Sequence, residues 1–306
     1  RIFDLKGRPR FDPVIVHVAS PDAAQALWMS CPAVAHRLMQ AFWPGPLTLV
    51  LQKAEGVPPI VTAGLSTVAV RMPRHAVALR LLQLAGCPIA APSANRFGRP
   101  SPTTAHMVEQ ELGQLVSLIL DGGPTPVGIE STVLAVHGTT PVLLRPGGTP
   151  LEALEAVVGT VLVPQGAEAS SGSPGLLPRH YAPSTPLYLL EETLPAGVHP
   201  TPLAIAKGGI GLLSLSPITV SPGVGHVEVL SVRGDLVEAA ARFFSVLHTL
   251  DRLGLDAIVA THIDEHGLGR ALMDRLRRGA CGRAYLVNGH WCVVERESHE
   301  ATTYGA

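Results

Sequence analysis

Aromatic residues make up only 4% of the sequence and charged ones 15%, with a formal net charge of −1. A near-neutral chain lacks the basic footprint of a duplex-binding protein, and few aromatics leave little surface for stacking unpaired bases. Stable nucleic-acid binding is therefore not expected. No uncharged apolar run approaches the roughly 18 residues of a membrane span, so membrane binding is not expected either. Arg1-Ile2-Phe3-Asp4 has the form of neither a signal peptide nor a basic transit segment, and a cytoplasmic location is expected. Cys31, Cys87, Cys281 and Cys292 contain no Cys-x-x-Cys pair, which argues against a zinc ribbon or a disulfide framework. The chain also lacks Gly-x-x-x-x-Gly-Lys and Gly-x-Ser-x-Gly, the marks of a P-loop and of a serine-hydrolase elbow. His262-Ile263-Asp264-Glu265-His266 has the order of an inverted zinc-protease motif. Gly267 and Gly269 follow at once, against a helix presenting both histidines, and no metal site is expected.

What is present is length and a high apolar content. With 306 residues, 46% of them hydrophobic, the chain is long enough for two domains with separate cores. The first half alternates short β-rich runs with helical stretches, an α/β or α+β pattern. Strands are expected at 14–18, 47–51, 68–71, 88–91, 116–120, 131–136 and 141–144, and helices at 23–42, 76–85, 104–113 and 151–158. A small, polar run from Pro164 predicts a linker over 164–184, dividing a domain at 1–163 from one at 185–306. The second half alternates strands near 187–190, 203–206, 210–213, 227–230 and 257–261 with helices near 236–253 and 270–278. That order implies a parallel, Rossmann-like sheet.

Charge is unevenly placed, at about +2 for residues 1–165 and about −3 for the rest. Lys6, Arg8, Arg10, Arg71, Arg74, Arg96, Arg99 and Arg145 all fall in the first half, where a shared cleft would suit a compact anion such as a nucleotide. Lys6-Gly7-Arg8-Pro9 sets two cations around a glycine, although alone it reads more readily as a solvated patch. Arg71 ends an apolar strand, the place where open α/β folds put ligand-binding groups; it fits either a carboxylate or a surface salt bridge. Trp43-Pro44-Gly45-Pro46 reads as a structural corner. Pro92-Ser93-Ala94-Asn95 offers backbone and hydroxyl to a close ligand, and Ser101 or Thr103 offers a hydroxyl or a helix cap. Gly128-Ile129-Glu130-Ser131 and Leu144-Arg145-Pro146-Gly147 add further strand ends with polar groups. Their coincidence in one domain points to a single pocket.

In order, these runs are Lys-Gly-Arg-Pro, Val-Ile-Val-His, Pro-Gly-Pro-Leu-Thr, Val-Arg-Met-Pro, Pro-Ser-Ala-Asn, Gly-Arg-Pro-Ser-Pro-Thr, Glu-Ser-Thr-Val and Arg-Pro-Gly. The set closely resembles the L-threonylcarbamoyladenylate synthase family over nearly all of residues 1–160. Ser173-Pro174-Gly175 and Arg179-His180-Tyr181-Ala182-Pro183 resemble the linker of its two-domain form, and the rest resembles its C-terminal domain. The resemblance implies a YrdC-like twisted mixed sheet with helices, followed by a smaller Rossmann-like α/β domain. It also implies a strand and loop ahead of Arg1, so the chain reads as N-terminally truncated. Asp12 stands where the family carries Asn, and Phe97 where a small residue is common.

The activity implied is synthesis of threonylcarbamoyl-AMP and pyrophosphate from L-threonine, bicarbonate and ATP with Mg²⁺, feeding a tRNA threonylcarbamoyltransferase complex that modifies adenosine 37. By resemblance, Arg8, Asp12, Thr67, Ser93, Ser101, Arg145 and Tyr181 fall on ATP-contacting positions. His17, Arg71, Ala91 and Ser131 fall on threonine-contacting ones. Lys6 and Asn95 lie in the same motifs and contact phosphate or order the loop. Lys6, Arg8 and Arg71 are the expected catalytic residues, and Tyr181 is expected to close over the nucleotide as part of a lid. Two rival readings are a carbamoyltransferase using carbamoyl phosphate and ATP, and a non-catalytic RNA-binding module.

Overall fold

A computed structural model describes residues 1–138, 140–164, 180–206 and 208–296. The first half holds α1 (Ile2–Lys6), β1 (Val16–His17), α2 (Pro21–Gln25), α3 (Ala33–Phe42), β2 (Leu47–Gln52), α4 (Pro59–Thr62), β3 (Thr67–Arg71), α5 (Ala76–Ala85), β4 (Ile89–Ala90), α6 (Ala105–Leu112), β5 (Thr132–His137), β6 (Thr140–Arg145) and α7 (Leu151–Val158). Its strands form one mixed sheet in the order β4-β1-β3-β2-β5-β6. β1 runs parallel to β3 and β2 parallel to β5, while the β1–β4, β2–β3 and β5–β6 pairs are antiparallel. Leu47 to Leu51, all of β2 but its last residue, are buried, as a central strand covered on both faces requires. One face packs on Val34, Leu38, Met39 and Leu154 of α3 and α7; the other buries Ile15, Val50, Ala69 and Val133.

The second half holds β7 (Leu187–Leu190), β8 (Thr201–Pro202), β9 (Ile210–Ser214), β10 (Val224–Val229), α8 (Leu236–Arg252), β11 (Ala257–Ala260), α9 (Gly269–Gly279), β12 (Gly282–Val287) and β13 (His290–Glu295). Five strands in the order β10-β9-β11-β7-β12 are parallel, and β13 and β8 extend the sheet antiparallel. Asp235 caps α8 by accepting from the amides of Val237 and Glu238. Ala240, Phe243, Phe244, Leu247 and Leu250, at helical spacing, turn one face of α8 into the core. That core also takes in Ile129 from the first half and Tyr181 from the connecting segment, so the two halves share buried surface. No helix among the described residues is long and apolar enough to cross a membrane.

Several expectations change. The helix expected at 23–42 is two helices, because Pro32 cannot donate to a continuing ladder and Met29 instead pairs with Gln52 of β2. The strand at 14–18 shrinks to two residues, since Val14 bonds Val61 and Ile15 bonds Ala91 outside the ladder. Residues 116–120 form no strand among the described residues, and Leu118 and Leu120 are exposed. Residues 203–206 are likewise irregular; the preceding pair, β8, bonds β13. The β12–β13 hairpin was unforeseen although its turn, Asn288-Gly289, is a strong hairpin signal between alternating residues. Most of the expected linker and lid, including Ser173-Pro174-Gly175, lies outside the described residues.

Candidate functional site

The parallel register of β1 and β3 sets His17 opposite Arg71, placing an imidazole and a guanidinium at one end of the sheet. β5 starts just after Ser131, and its antiparallel partner β6 ends at Arg145 opposite Val133, bringing a second guanidinium there. Together with Arg8, which follows α1, and Ala91 and Ser93, which follow β4, they line a cavity of about 250 Å³. Ser101, Gly128, Glu130, His180 and Tyr181 also line it.

Backbone carbonyls orient the cations. Arg71 donates from Nε to Gly45 O at 3.1 Å, and among the described residues no carboxylate pairs with it. The turn Trp43-Pro44-Gly45-Pro46, expected only as a corner, is thus what aims Arg71. Arg145 donates from Nη2 to Ser131 O at 2.9 Å, and the Ser131 hydroxyl shares a 2.7 Å hydrogen bond with that of Thr48. Arg8 donates to Pro13 O at 2.6 Å and forms a 2.9 Å ion pair with Asp12. Its guanidinium lies 5.9 Å from the centre of the Phe97 ring, whose other neighbour is His180 at 5.8 Å, edge-on.

Of the expected site residues, the structure brings Arg8, His17, Arg71, Ala91, Ser93, Ser101, Ser131, Arg145 and Tyr181 to this cavity. Three others stand behind it. Lys6 Nζ donates to Ser93 O at 2.5 Å and to Asn95 O, and Asn95 Nδ2 donates to the carbonyls of Arg96 and Arg99, so both tie down the 93–99 loop. Asp12 is buried as the partner of Arg8. Thr67 stands apart: it begins β3, opposite Gln52, while Arg71 ends the strand, and the structure does not bring it to the cavity. The cap of α6 is Thr104, which accepts from Met107 N, leaving Ser101 and Thr103 free of that task.

Sequence reasoning assigned no role to Glu130. It is the cavity's one carboxylate among the described residues, accepting from Ser101 Oγ at 2.5 Å and from Arg275 of α9. Its place between Gly128 and the start of β5 was a usable signal; its partner, 145 residues away, was not. Tyr181, expected to close over the nucleotide, is 1% exposed, lines the cavity and packs against Phe244 and Arg275.

Burial shapes the protonation states. It lowers His17 to about 4, with Arg71 adding to the shift, and lowers His180 to about 4 as well. Arg71 falls to about 10 through burial and the nearby Arg145, and stays charged at neutral pH. Lys6 falls to about 8 through burial and Arg8, and Tyr181 is pushed up to about 12 by burial. Burial alone would raise Glu130, but Arg275, Arg145 and the Ser101 hydroxyl outweigh it and hold the carboxyl below its usual range.

The histidines give a pH test. Below their ordinary 6.5 the unfolded chain binds protons that the folded chain refuses until about 4, so unfolding free energy falls as pH drops through that window. The melting temperature is expected to decline from pH 7 to pH 5, and to decline less in a His17→Asn/His180→Asn variant. An equal decline in both proteins would remove the histidines as its cause.

Residues 1–147 match the Sua5/YciO/YrdC family model, described as telomere recombination, and residues 149–281 match the model of the threonylcarbamoyl-AMP synthase C-terminal domain. The chain is 42% identical to a threonylcarbamoyl-AMP synthase of Pyrococcus abyssi over 94% of its own length and 85% of the relative's. It is 41% identical to one from Bacillus subtilis, covering 92% and 83%. The crystal structure of P. abyssi Sua5 complexed with L-threonine superposes with a TM-score of 0.80 at 39% identity, covering 92% of this chain and 83% of that one.

Proposed function

The chain belongs to the threonylcarbamoyl-AMP synthase family in its two-domain form, and on that premise we propose how its cavity seats and joins the substrates. The reaction is a nucleotidyl transfer that makes threonylcarbamoyl-AMP for the threonylcarbamoyladenosine modification of tRNA. Three arginines converging on one cavity, with a single, already engaged carboxylate among the described lining residues, is the observation that carries the seating.

Threonine lies with its carboxylate on Arg71, a planar fork whose aim is set by Gly45. His17, register partner of Arg71, is neutral, and its Nδ1 has no hydrogen-bond partner among the described residues. It can therefore accept from the amine without repelling it. The amine, once it has given up its ammonium proton, takes up CO₂ from bicarbonate with loss of one water, giving a carbamate that water would soon reverse, which is why an enclosed site is needed. A carbamate oxygen attacks the α-phosphorus of ATP; the bond to the bridging oxygen breaks and pyrophosphate leaves with its electron pair. Arg8, Arg145 and Ser93 hold the charge that develops, and Lys6 acts by fixing the Ser93 carbonyl. No protein nucleophile takes part.

The lining suits Mg²⁺ brought in on the nucleotide. That ion is commonly held by substrate phosphates and water with few protein ligands, and the oxygens of Glu130 already serve Ser101 and Arg275. When bound, the ion supplies further neutralisation of the triphosphate. The product is a mixed anhydride sensitive to water, which favours prompt transfer to a tRNA threonylcarbamoyltransferase complex in the cytoplasm, where ATP and tRNA meet.

The test is pyrophosphate release from ATP with threonine and bicarbonate omitted in turn. Release is expected only with both present. Release that needs carbamoyl phosphate instead, or that ignores threonine, would contradict the proposal.

A further inference from the structure

We propose that the C-terminal domain supplies a working part of the cavity: Arg275 of α9 is a positioning residue that, through Glu130, sets one wall and cancels the negative charge facing the nucleotide. This rests on the reading that ATP occupies the cavity.

The Arg275 side chain is fully buried although it belongs to the other half of the chain. It meets Glu130 Oε2 from both Nε and Nη2 at 3.1 Å, and donates from Nη1 to Pro146 O and Ala271 O. Its guanidinium lies 5.4 Å from the centre of the Tyr181 ring. Glu130 precedes Ser131 and Pro146 follows Arg145, so one guanidinium fixes both chain segments that carry these polar groups into the cavity. Beyond Glu130 the chain of contacts reaches Ser101, whose hydroxyl donates to Oε1 and whose carbonyl accepts from His248 of α8 at 3.3 Å. Ser101 is thus held from α9 and α8 at once.

Charge makes Arg275 more than a brace. A lone carboxylate in the wall of a phosphate site repels its ligand, and removing one partner of a buried ion pair leaves the other poorly compensated, here with Arg145 and the Ser101 hydroxyl still favouring the Glu130 carboxylate. Arg275→Met should then hurt nucleotide binding mainly because Glu130 remains, and removing that charge as well should restore it. A purely structural arginine predicts the reverse, since the double variant would have lost two buried groups.

The experiment is calorimetric binding of α,β-methylene-ATP with Mg²⁺ to the full chain, with melting temperatures recorded alongside. Arg275→Met is expected to weaken binding by about tenfold or more, and Glu130→Gln/Arg275→Met to recover most of that loss, a coupling typical of contacting residues. Glu130→Gln alone keeps an acceptor for Ser101 but leaves Arg275 without this charge partner, and it should weaken binding by less than about tenfold and by less than Arg275→Met does. This arm stands even if Arg275→Met fails to fold. A double variant as weak as Arg275→Met, or a tenfold loss in Glu130→Gln, would overturn the proposal. A parent protein that binds no nucleotide would strike instead at the reading beneath it.

Discussion

Replacing Arg71 with alanine is expected to lower kcat/KM for threonine by about 10²- to 10³-fold while changing ATP affinity by less than about threefold. Charge-assisted pairing of a guanidinium with a carboxylate is among the stronger hydrogen-bonding interactions, and enclosure reduces its screening. Arg71 is placed for that task by three features: it ends β3, it faces His17 in register, and its Nε is fixed on Gly45 O. Arg71→Lys should fall between the two, since an ammonium keeps the charge and loses the fork. The check is initial-rate kinetics with threonine varied at saturating ATP, beside nucleotide titrations. Equal losses for both substrates would mean that Arg71 braces the whole cavity and does not read the amino acid.

Gly128→Ala should be among the most damaging single methyl groups added to this chain. Gly128 lines the cavity and sits at φ 76°, a left-handed backbone that side chains rarely adopt. A Cβ there would lie 2.1 Å from Ala240 O and 2.5 Å from Ala241 Cα, both backbone atoms of α8 that no rotamer change can move. The expected cost is about 3 kcal/mol or more, together with weaker nucleotide binding because Glu130 and Ser131 follow just after Ile129. Gly123, at φ 80° with open space around it, is the control. Gly123→Ala should show backbone strain alone, about 1 kcal/mol. Denaturant unfolding of the two variants measures the difference, and equal costs would contradict the close approach of α8 to the cavity wall.

The parts of this site legible in sequence were those where chemistry and strand end coincide in a short run. Arg71 closing an apolar strand, Ser93 after Pro92 and Arg145 before Pro146 announce themselves because a turn residue marks where the chain leaves the sheet. Thr67 shows the limit of motif placement: it lies in the same strand as Arg71 but at its opposite end. Asn95 sits in a marked run and Asp12 between two of them, yet their side chains turn to protein partners, since spacing does not say which way a loop side chain turns. The helix at 23–42 misled because apolar periodicity holds on both sides of the break from Ala26 to Pro32. Glu130 with Arg275 was out of reach for another reason. Glu130 stands in one of the marked runs, but nothing in either neighbourhood names the other residue, and only packing of α9 against the first half makes them a pair.

The central claim is tested most directly by a crystal structure of this chain with L-threonine, Mg²⁺ and α,β-methylene-ATP bound together. The account predicts the threonine carboxylate on Arg71, its amine beside His17, and the triphosphate among Arg8, Ser93 and Arg145, with the amine turned toward the α-phosphorus. Threonine and nucleotide in separate cavities, or the triphosphate away from Arg8 and Arg145, would contradict it.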